Sequence, residues 1–471
     1  MIRIITLLCL LIMQICFSQS ANLYLEKIRT NEAALTAFFQ QMPKGGDLHH
    51  HFAGSVYAEP LLERAIKEDF YLNLETMEVS KSKVSKGNWE IFSSLKSKGQ
   101  LPFYEQKIME TWSVKDYKGS IPSDDLFFDS FDKFFPVIDG HFAKGLLELK
   151  KRALSENVSY IETQLSIIPC DMKVDDLANF NTRLRHAAGQ KDEKAVLKLL
   201  DDLYKLIQQK EAKKYATDFN TNFIAQLHND LQIDDNNFKM RYQNFVLRFM
   251  EPVDLFKNLV IAFISANESN LIAGVNIVSP EHGENSMKDY WLHMVMFKYC
   301  HTKLPDVKYT LHAGELTLGL VQPEDLTWHI NSAIHIAGAN RIGHGVDIAY
   351  EANSYDLLRY MSKNHIPIEI NLASNEFILK VKEGRHPFTL YKEFNVPIVI
   401  STDDAGILRT NMTEQYVLLA KRYPDVSYST IKEYVYNSIN YSFIQDESVK
   451  KQLLKDLDVR FKTFENQFSK N

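Results

Sequence analysis

Cysteine is scarce in this chain: four in 471 residues, at positions 9, 16, 170 and 300, with no Cys-x-x-Cys pair. That excludes zinc–thiolate sites and dithiol redox motifs. An excess of basic residues is also missing. Lys and Arg number 54 against 60 Asp and Glu, the net charge is -6, and no basic stripe or arginine-rich tail occurs. Nucleic acid is therefore not an expected partner. The apolar run Ile4 to Phe17 is shorter than the ~20 residues that span a bilayer, so no stable membrane span is expected. Internal repeats and low-complexity linkers are absent too, and one large domain is the simplest organisation.

What the chain does have is 45% hydrophobic and 24% charged residues, the balance of a globular protein with a sizeable core. Arg3, the apolar run and the small residues of Ser18-Gln19-Ser20-Ala21 read as a secretory signal peptide over residues 1–20. The expected location of the mature protein, residues 21–471, is periplasmic or secreted. A lipoprotein anchor at Cys16 is disfavoured by the bulky Ile15 before it. After cleavage only Cys170 and Cys300 remain, either as free thiols or as a disulfide.

Polar clusters close several apolar runs: Leu48-His49-His50-His51, Leu311-His312-Ala313-Gly314-Glu315, Ile342-Gly343-His344-Gly345 and Ser401-Thr402-Asp403-Asp404. If these runs are strands, His49 and His51 share a face and can chelate one ion, while His50 points away and is expected to be packed or capped. A catalytic divalent metal such as zinc takes N and O ligands and leaves a position open. His49, His51, His312 and Asp403 supply that set. Glu315, His344 and Asp404 remain beside it to handle protons, which suggests hydrolysis. The competing readings are a helix-start carboxylate for Glu315, a helix N-cap for Asp404 and a tight turn for His344.

Strand-like runs alternate with helical stretches at Gly46 to Phe52, Ser159 to Leu165, Asn244 to Phe249, Leu271 to Val278, Lys308 to His312, Arg341 to His344, Ile366 to Leu372 and Val396 to Thr402. The expected fold is α/β, a (β/α)8 TIM barrel with additional helical insertions, whose chemistry lies at the C-terminal ends of strands. The clusters close the first, fifth, sixth and eighth of these. Two stretches look surplus to a minimal barrel. Leu74 to Asp125 is lysine-rich, broken by Gly87, Gly99 and Pro102, and could cover the barrel mouth. Asp171 to Asn237 contains Val196, Leu199, Leu200, Leu203 and Ile207 at helical spacing, an amphipathic helix that could form a cap or a homodimer interface. Phe127, Phe128, Phe131, Phe134 and Phe135 fall on one helix, either as a core stripe or as the wall of an apolar pocket.

In the order of these motifs, beginning with Met42-Pro43-Lys44-Gly45-Gly46-Asp47-Leu48-His49-His50-His51, the chain resembles the adenosine deaminase family of metal-dependent hydrolases, especially its secreted, growth-factor-related branch and similar bacterial proteins. The resemblance runs from about Met42 to Ser442 and is poor across the two surplus stretches. It implies Zn2+ on His49, His51, His312 and Asp403, with Glu315 protonating the purine ring nitrogen. It also implies that His344 orients the attacking water and that Asp404 binds the purine. The implied reaction is hydrolytic deamination of a small purine nucleoside, adenosine or 2'-deoxyadenosine, to inosine or deoxyinosine and ammonia. Cytidine-type zinc deaminases fit poorly, since their Pro-Cys-x-x-Cys signature is missing.

Two departures bear on the substrate. Ala53 stands where family members carry an Asp that binds the ribose hydroxyl, and Ser279 stands where a glycine usually contacts the purine. Ser279 and Glu281 are expected to contact substrate, Glu281 and His282 from the rim of the site. Asn371 to Asn375, closing the seventh strand, could add further polar contacts, and His386-Pro387 after Gly384-Arg385 resembles the family's loop before the eighth strand. The alternatives are a related hydrolase acting on another aminopurine derivative, and a secreted binding or signalling protein that kept the fold.

Overall fold

A computed structural model describes residues 19–174 and 176–468. Most of the expected signal segment, residues 1–18, lies outside the described residues. Parallel strands supply the frame: β1 (Gly45–His51), β2 (Val158–Gln164), β3 (Lys239–Leu247), β4 (Ile272–Val278), β5 (Thr310–Ala313), β6 (Arg341–His344), β7 (Ile368–Ile370) and β8 (Ile398–Ile400). They pair in the order β1-β2-β3-β4 and β5-β6-β7-β8. Two bridges close the curl, Val275 with Tyr309 and His50 with Asp403. At the second, the Asp403 N–H donates to the His49 carbonyl at 2.9 Å, which brings the first and last strands together at the site.

Each strand is buried along almost its whole length, as expected for a parallel sheet covered by helices. The expected strands are all present, and the order is that of a TIM barrel. The boundaries shift by one or two residues at most of the strands, the last two being shorter than expected at Ile368–Ile370 and Ile398–Ile400, and the largest difference is that β3 begins at Lys239 rather than Asn244. Its first turn of chain carries Arg241, whose guanidinium is held by Asp234 at 3.0 Å, so a charged residue sits in a strand without exposing it.

The barrel interior is partly ionic. Arg341 donates from Nη2 to Glu162 at 2.7 Å and from Nε to Glu369 at 2.6 Å, and its guanidinium lies 3.6 Å from the centroid of the Phe443 ring. All three charged side chains are fully buried. Carboxylates on two sides of one guanidinium compensate its charge, which an apolar interior alone could not do.

The first surplus stretch, with the residues just before it, contains strands the sequence does not announce. Tyr71–Asn73, Val79–Ser80 and Trp89–Ile91 form a small antiparallel sheet, followed by helices Phe92–Ser97 and Leu101–Thr111. The chain then passes over the barrel mouth. Val114 N–H donates to Ile407 O at 2.9 Å, Tyr117 meets Phe377 edge-on, and Asp124 Oδ2 lies 3.6 Å from His282 Nε2. These partners belong to the segments after β4, β7 and β8, Phe377 within helix Leu372–Leu379, so this part of the chain lies against the mouth end of the strands. On helix Ser123–Ile138, Phe127 and Phe134 are buried, Phe128 and Phe131 are half-buried, and Phe135 faces solvent. This is a core stripe.

In the second surplus stretch, helix Glu193–Gln209 buries Val196, Leu199, Leu200, Leu203 and Ile207. It packs on helices Leu177–Gly189, Pro252–Glu268 and Glu284–Lys303 of the same chain. Its apolar face is therefore already covered and does not present a dimer surface. Cys170 and Cys300 are both free thiols. Among the described residues no helix is long and apolar enough to cross a membrane.

Candidate active site

Strand alternation puts His49 and His51 on the inner face of β1, with Nε2 atoms 3.3 Å apart. His312, from β5, brings its Nε2 to 3.2 Å from that of His51. Asp403, just beyond β8, places Oδ1 3.2 Å from His51 Nε2 and 3.5 Å from His49 Nε2. Four ligand atoms about 2.0–2.1 Å from a common tetrahedral centre stand roughly 3.3–3.4 Å apart. The four separations are of that size; His49, His51 and His312 form one group able to hold an ion, and Asp403 joins it through His49 and His51 rather than through His312, so the set surrounds a zinc-sized site without being a regular tetrahedron. His50 points to the other face, buried with Nδ1 2.9 Å from Thr163 Oγ1.

The far sides of the rings are tied down. His49 Nδ1 lies 2.7 Å from Glu369 Oε2, and His312 Nδ1 lies 3.0 Å from Asn276 Oδ1. Because an amide oxygen and a carboxylate only accept, each Nδ1 carries the proton and each Nε2 lone pair faces the centre. Burial opposes a charge on His49, but Asp403 and Glu369 outweigh it and raise its pKa to about 10. The field at the cluster thus favours a cation. His312 is driven the opposite way, by burial and by its His49, His344 and His51 neighbours, and stays neutral.

Glu315, His344 and Asp404 stand around this centre. His344 closes β6 with its backbone at φ 70°, and Asp403 sits at φ 62°. Non-glycine residues in this region store strain, which is found where side chains are aimed for function. His344 Nδ1 is 3.7 Å from Glu315 Oε1 and its Nε2 is 3.9 Å from Asp403 Oδ2. Glu315 is buried rather than at a surface helix start. Burial, with Asp403 and Glu281 nearby, pushes its pKa well above the usual carboxylate range, which favours its protonated form. Asp404 is pushed up by burial and by Asp403, and its Oδ1 has no hydrogen-bond partner. That oxygen lies over Gly54, where a Cβ would come within 1.8 Å of it. Asp404 is therefore neither a helix cap nor a surface group.

Glu281 departs from expectation. It is not on the rim but 1% exposed, and both of its oxygens are engaged. It accepts from the Gly314 N–H at 3.1 Å, the Glu315 N–H at 2.9 Å and His329 Nδ1 at 2.6 Å, and Arg248 Nη1 stands 3.8 Å away. Burial works against this charge, but the His329 hydrogen bond and the Arg248 charge hold its pKa at about 2. The carboxylate pins the loop that carries Glu315 and is buried away from the rim. Ser279 is half-buried at the end of β4 with φ 90°, a conformation that suits glycine, and His282 faces the covering helix.

Sequence reasoning did not find Glu369, Asn276, Arg341 or Arg248. It offered Asn375 only as a weak candidate for a polar contact and His386 only as part of a loop resembling the family's, whereas Asn375 bonds His344 and His386 bonds Asn375. Strand alternation from His49 or His312 could not have found their partners, which come from other strands of the barrel.

Comparison with known proteins agrees with the motifs. Residues 233–460 match the adenosine deaminase family. The chain is 33% identical over 153 residues to an adenosine deaminase of Clostridium acetobutylicum, a match covering 32% of this chain and 42% of that protein. The matched stretch thus spans about two fifths of the curated relative's length. Among solved structures, the N6-mAMP deaminase of Arabidopsis superposes with a TM-score of 0.57 at 18% identity, covering 90% of this chain and 99% of that one. An amidohydrolase from Burkholderia ambifaria, solved with bound Zn, gives 0.52 at 15% identity, covering 93% and 95%. At these identities the structures speak for the fold.

Proposed function

We propose that this chain, related to the adenosine deaminase family through residues 233–460, is a metal-dependent hydrolase that releases ammonia from an aminopurine nucleoside, with adenosine and 2'-deoxyadenosine as first candidates. The observation that carries the reading is Glu315, buried with its pKa pushed up, beside His344 and the group of His49, His51 and His312 that Asp403 adjoins. His49, His51, His312 and Asp403 would hold the ion, with Zn2+ as the proposed metal. A divalent cation there supplies Lewis acidity that lets water lose a proton near neutral pH.

The protein's own groups do the rest. As oxygen adds to the carbon bearing the amino group, charge builds on the adjacent ring nitrogen, and Glu315 delivers its proton there. His344 donates a hydrogen bond to the developing oxyanion. Asp404, with an oxygen free of protein partners, is placed to accept from the purine or the attacking water. The proton lost by the attacking water passes to the amino group, which leaves as ammonia as the C–N bond breaks, and the proton still on the added oxygen returns to the Glu315 carboxylate, leaving the six-oxo purine with its ring N–H. Desolvation around these buried groups keeps Glu315 acidic in form and excludes competing water.

Ala53 supports a second reading. It removes the carboxylate that family members use on the ribose hydroxyl, so the preferred substrate could carry a different sugar, a phosphate or a modified amino group. A binding or signalling protein without turnover is the less favoured class, because every ligand and proton-handling group is retained. The segment over residues 1–20 supports export to the periplasm or medium, checked by N-terminal sequencing of the mature protein.

The test is a panel. Adenosine, 2'-deoxyadenosine, N6-methyl-AMP and adenine are each offered to zinc-loaded protein, and ammonia or methylamine release is followed. Preference for the two nucleosides upholds the first reading, preference for another member moves the substrate, and no turnover of any of them overturns the deaminase reading.

A further inference from the structure

Behind His344 lies a hydrogen-bonded chain whose proton directions can be worked out from its far end. His386 is buried, and its Nδ1 receives the backbone N–H of Phe388 at 3.1 Å. A backbone N–H can only donate, so Nδ1 is unprotonated and the ring proton is on Nε2. That Nε2 lies 3.0 Å from the Asn375 side chain and must therefore meet its oxygen, Oδ1. The Asn375 amide is thereby fixed: flipping it would set an N–H against an N–H. Its Nδ2 then donates to His344 Nδ1 at 3.1 Å, and the Asn371 Nδ2 stands 3.5 Å from the same ring nitrogen.

We propose that His386 and Asn375 are positioning residues that lock His344 as the Nε2–H tautomer, making it a hydrogen-bond donor to the reacting oxygen and barring it from acting as a base. The inference rests on the deaminase reading for its functional meaning. A second consequence concerns Glu315. Its Oε1 is 3.7 Å from His344 Nδ1, the one nitrogen of that ring able to take its proton. With that lone pair already occupied by an amide N–H, the proton on Glu315 stays available for the purine. The relay thus keeps two neighbouring groups, one donor and one acid, from exchanging roles. Asn375 and His386 sit on separate elements, helix Leu372–Leu379 and the turn before helix Phe388–Glu393, so the device is assembled by the fold.

The test is 15N NMR of the zinc-loaded full chain labelled at histidine, with His344 assigned by substitution. The wild-type protein should show His344 protonated at Nε2. Asn375→Asp presents a carboxylate that only accepts, and the His344 proton should move to Nδ1. The kcat should then fall about 100-fold or more, KM should change less than about 3-fold, and zinc content should be unchanged. His386→Gln, whose amide can still donate to Asn375, should keep at least about a tenth of kcat, while His386→Leu should not. If Asn375→Asp leaves the tautomer or kcat unaltered, the proposal is overturned. If Asn375→Asp does not fold, equal kcat values for His386→Gln and His386→Leu overturn it. A wild-type chain inert toward every aminopurine would remove the functional reading, while the tautomer measurement would still decide the relay.

Discussion

Glu369 holds His49 by a 2.7 Å hydrogen bond between Oε2 and Nδ1, across 320 positions of sequence. The other Glu369 oxygen accepts from Arg341 at 2.6 Å, so the proposed metal ligand His49, its orienting carboxylate and the interior guanidinium form one connected unit. Replacing Glu369 with Gln should weaken metal affinity about 10- to 100-fold, as expected when the partner that orients a ligating histidine is lost. Zinc retention during dialysis against a graded chelator series checks this. Unchanged retention would show that His49 is oriented without it.

Glu281 is buried against two backbone N–H groups, His329 and Arg248. Removing one member of such a group leaves uncompensated charge, so Glu281→Leu should cost about 3–5 kcal/mol in urea denaturation. A sugar contact on the rim would give the opposite pattern, with ordinary stability and a raised KM.

Gly54 lies under Asp404, and an added Cβ would come within 1.8 Å of its Oδ1. Gly54→Ala should therefore displace Asp404 and lower kcat about 100-fold or more, with the fold retained by circular dichroism. Activity near the wild-type level would place Asp404 outside the reaction.

Ser279 holds φ 90°. Ser279→Gly should be neutral or stabilising by up to about 1 kcal/mol, because relief of strain outweighs the flexibility gained by the unfolded chain, whereas Ser279→Val should destabilise. Thermal melts of the two variants give the comparison.

What the sequence made legible follows from local periodicity. His49 and His51 could be put on one face because a strand alternates, and the eight apolar runs became strands because parallel sheets bury both faces. The Lys239–Met240–Arg241 start of β3 stayed hidden because Arg241 looks exposed until Asp234 pairs with it. The small sheet of Tyr71–Asn73, Val79–Ser80 and Trp89–Ile91 was missed because runs of two or three residues carry no readable period. Glu281 was misplaced because a carboxylate in a loop after a strand looks like rim until its partners, Arg248 and His329, are known. The relay behind His344 is legible only in three dimensions, since each link joins residues from different elements.

The most direct measurement strips the protein of metal, restores Zn2+ stepwise, and follows ammonia release from adenosine across pH, with Glu315→Gln alongside. Deamination should rise from zero to a plateau at one zinc per chain, hold through neutral pH, and fall only as pH climbs through the raised pKa of Glu315, with the variant inert throughout. Full activity without metal, or undiminished activity in Glu315→Gln, would contradict it.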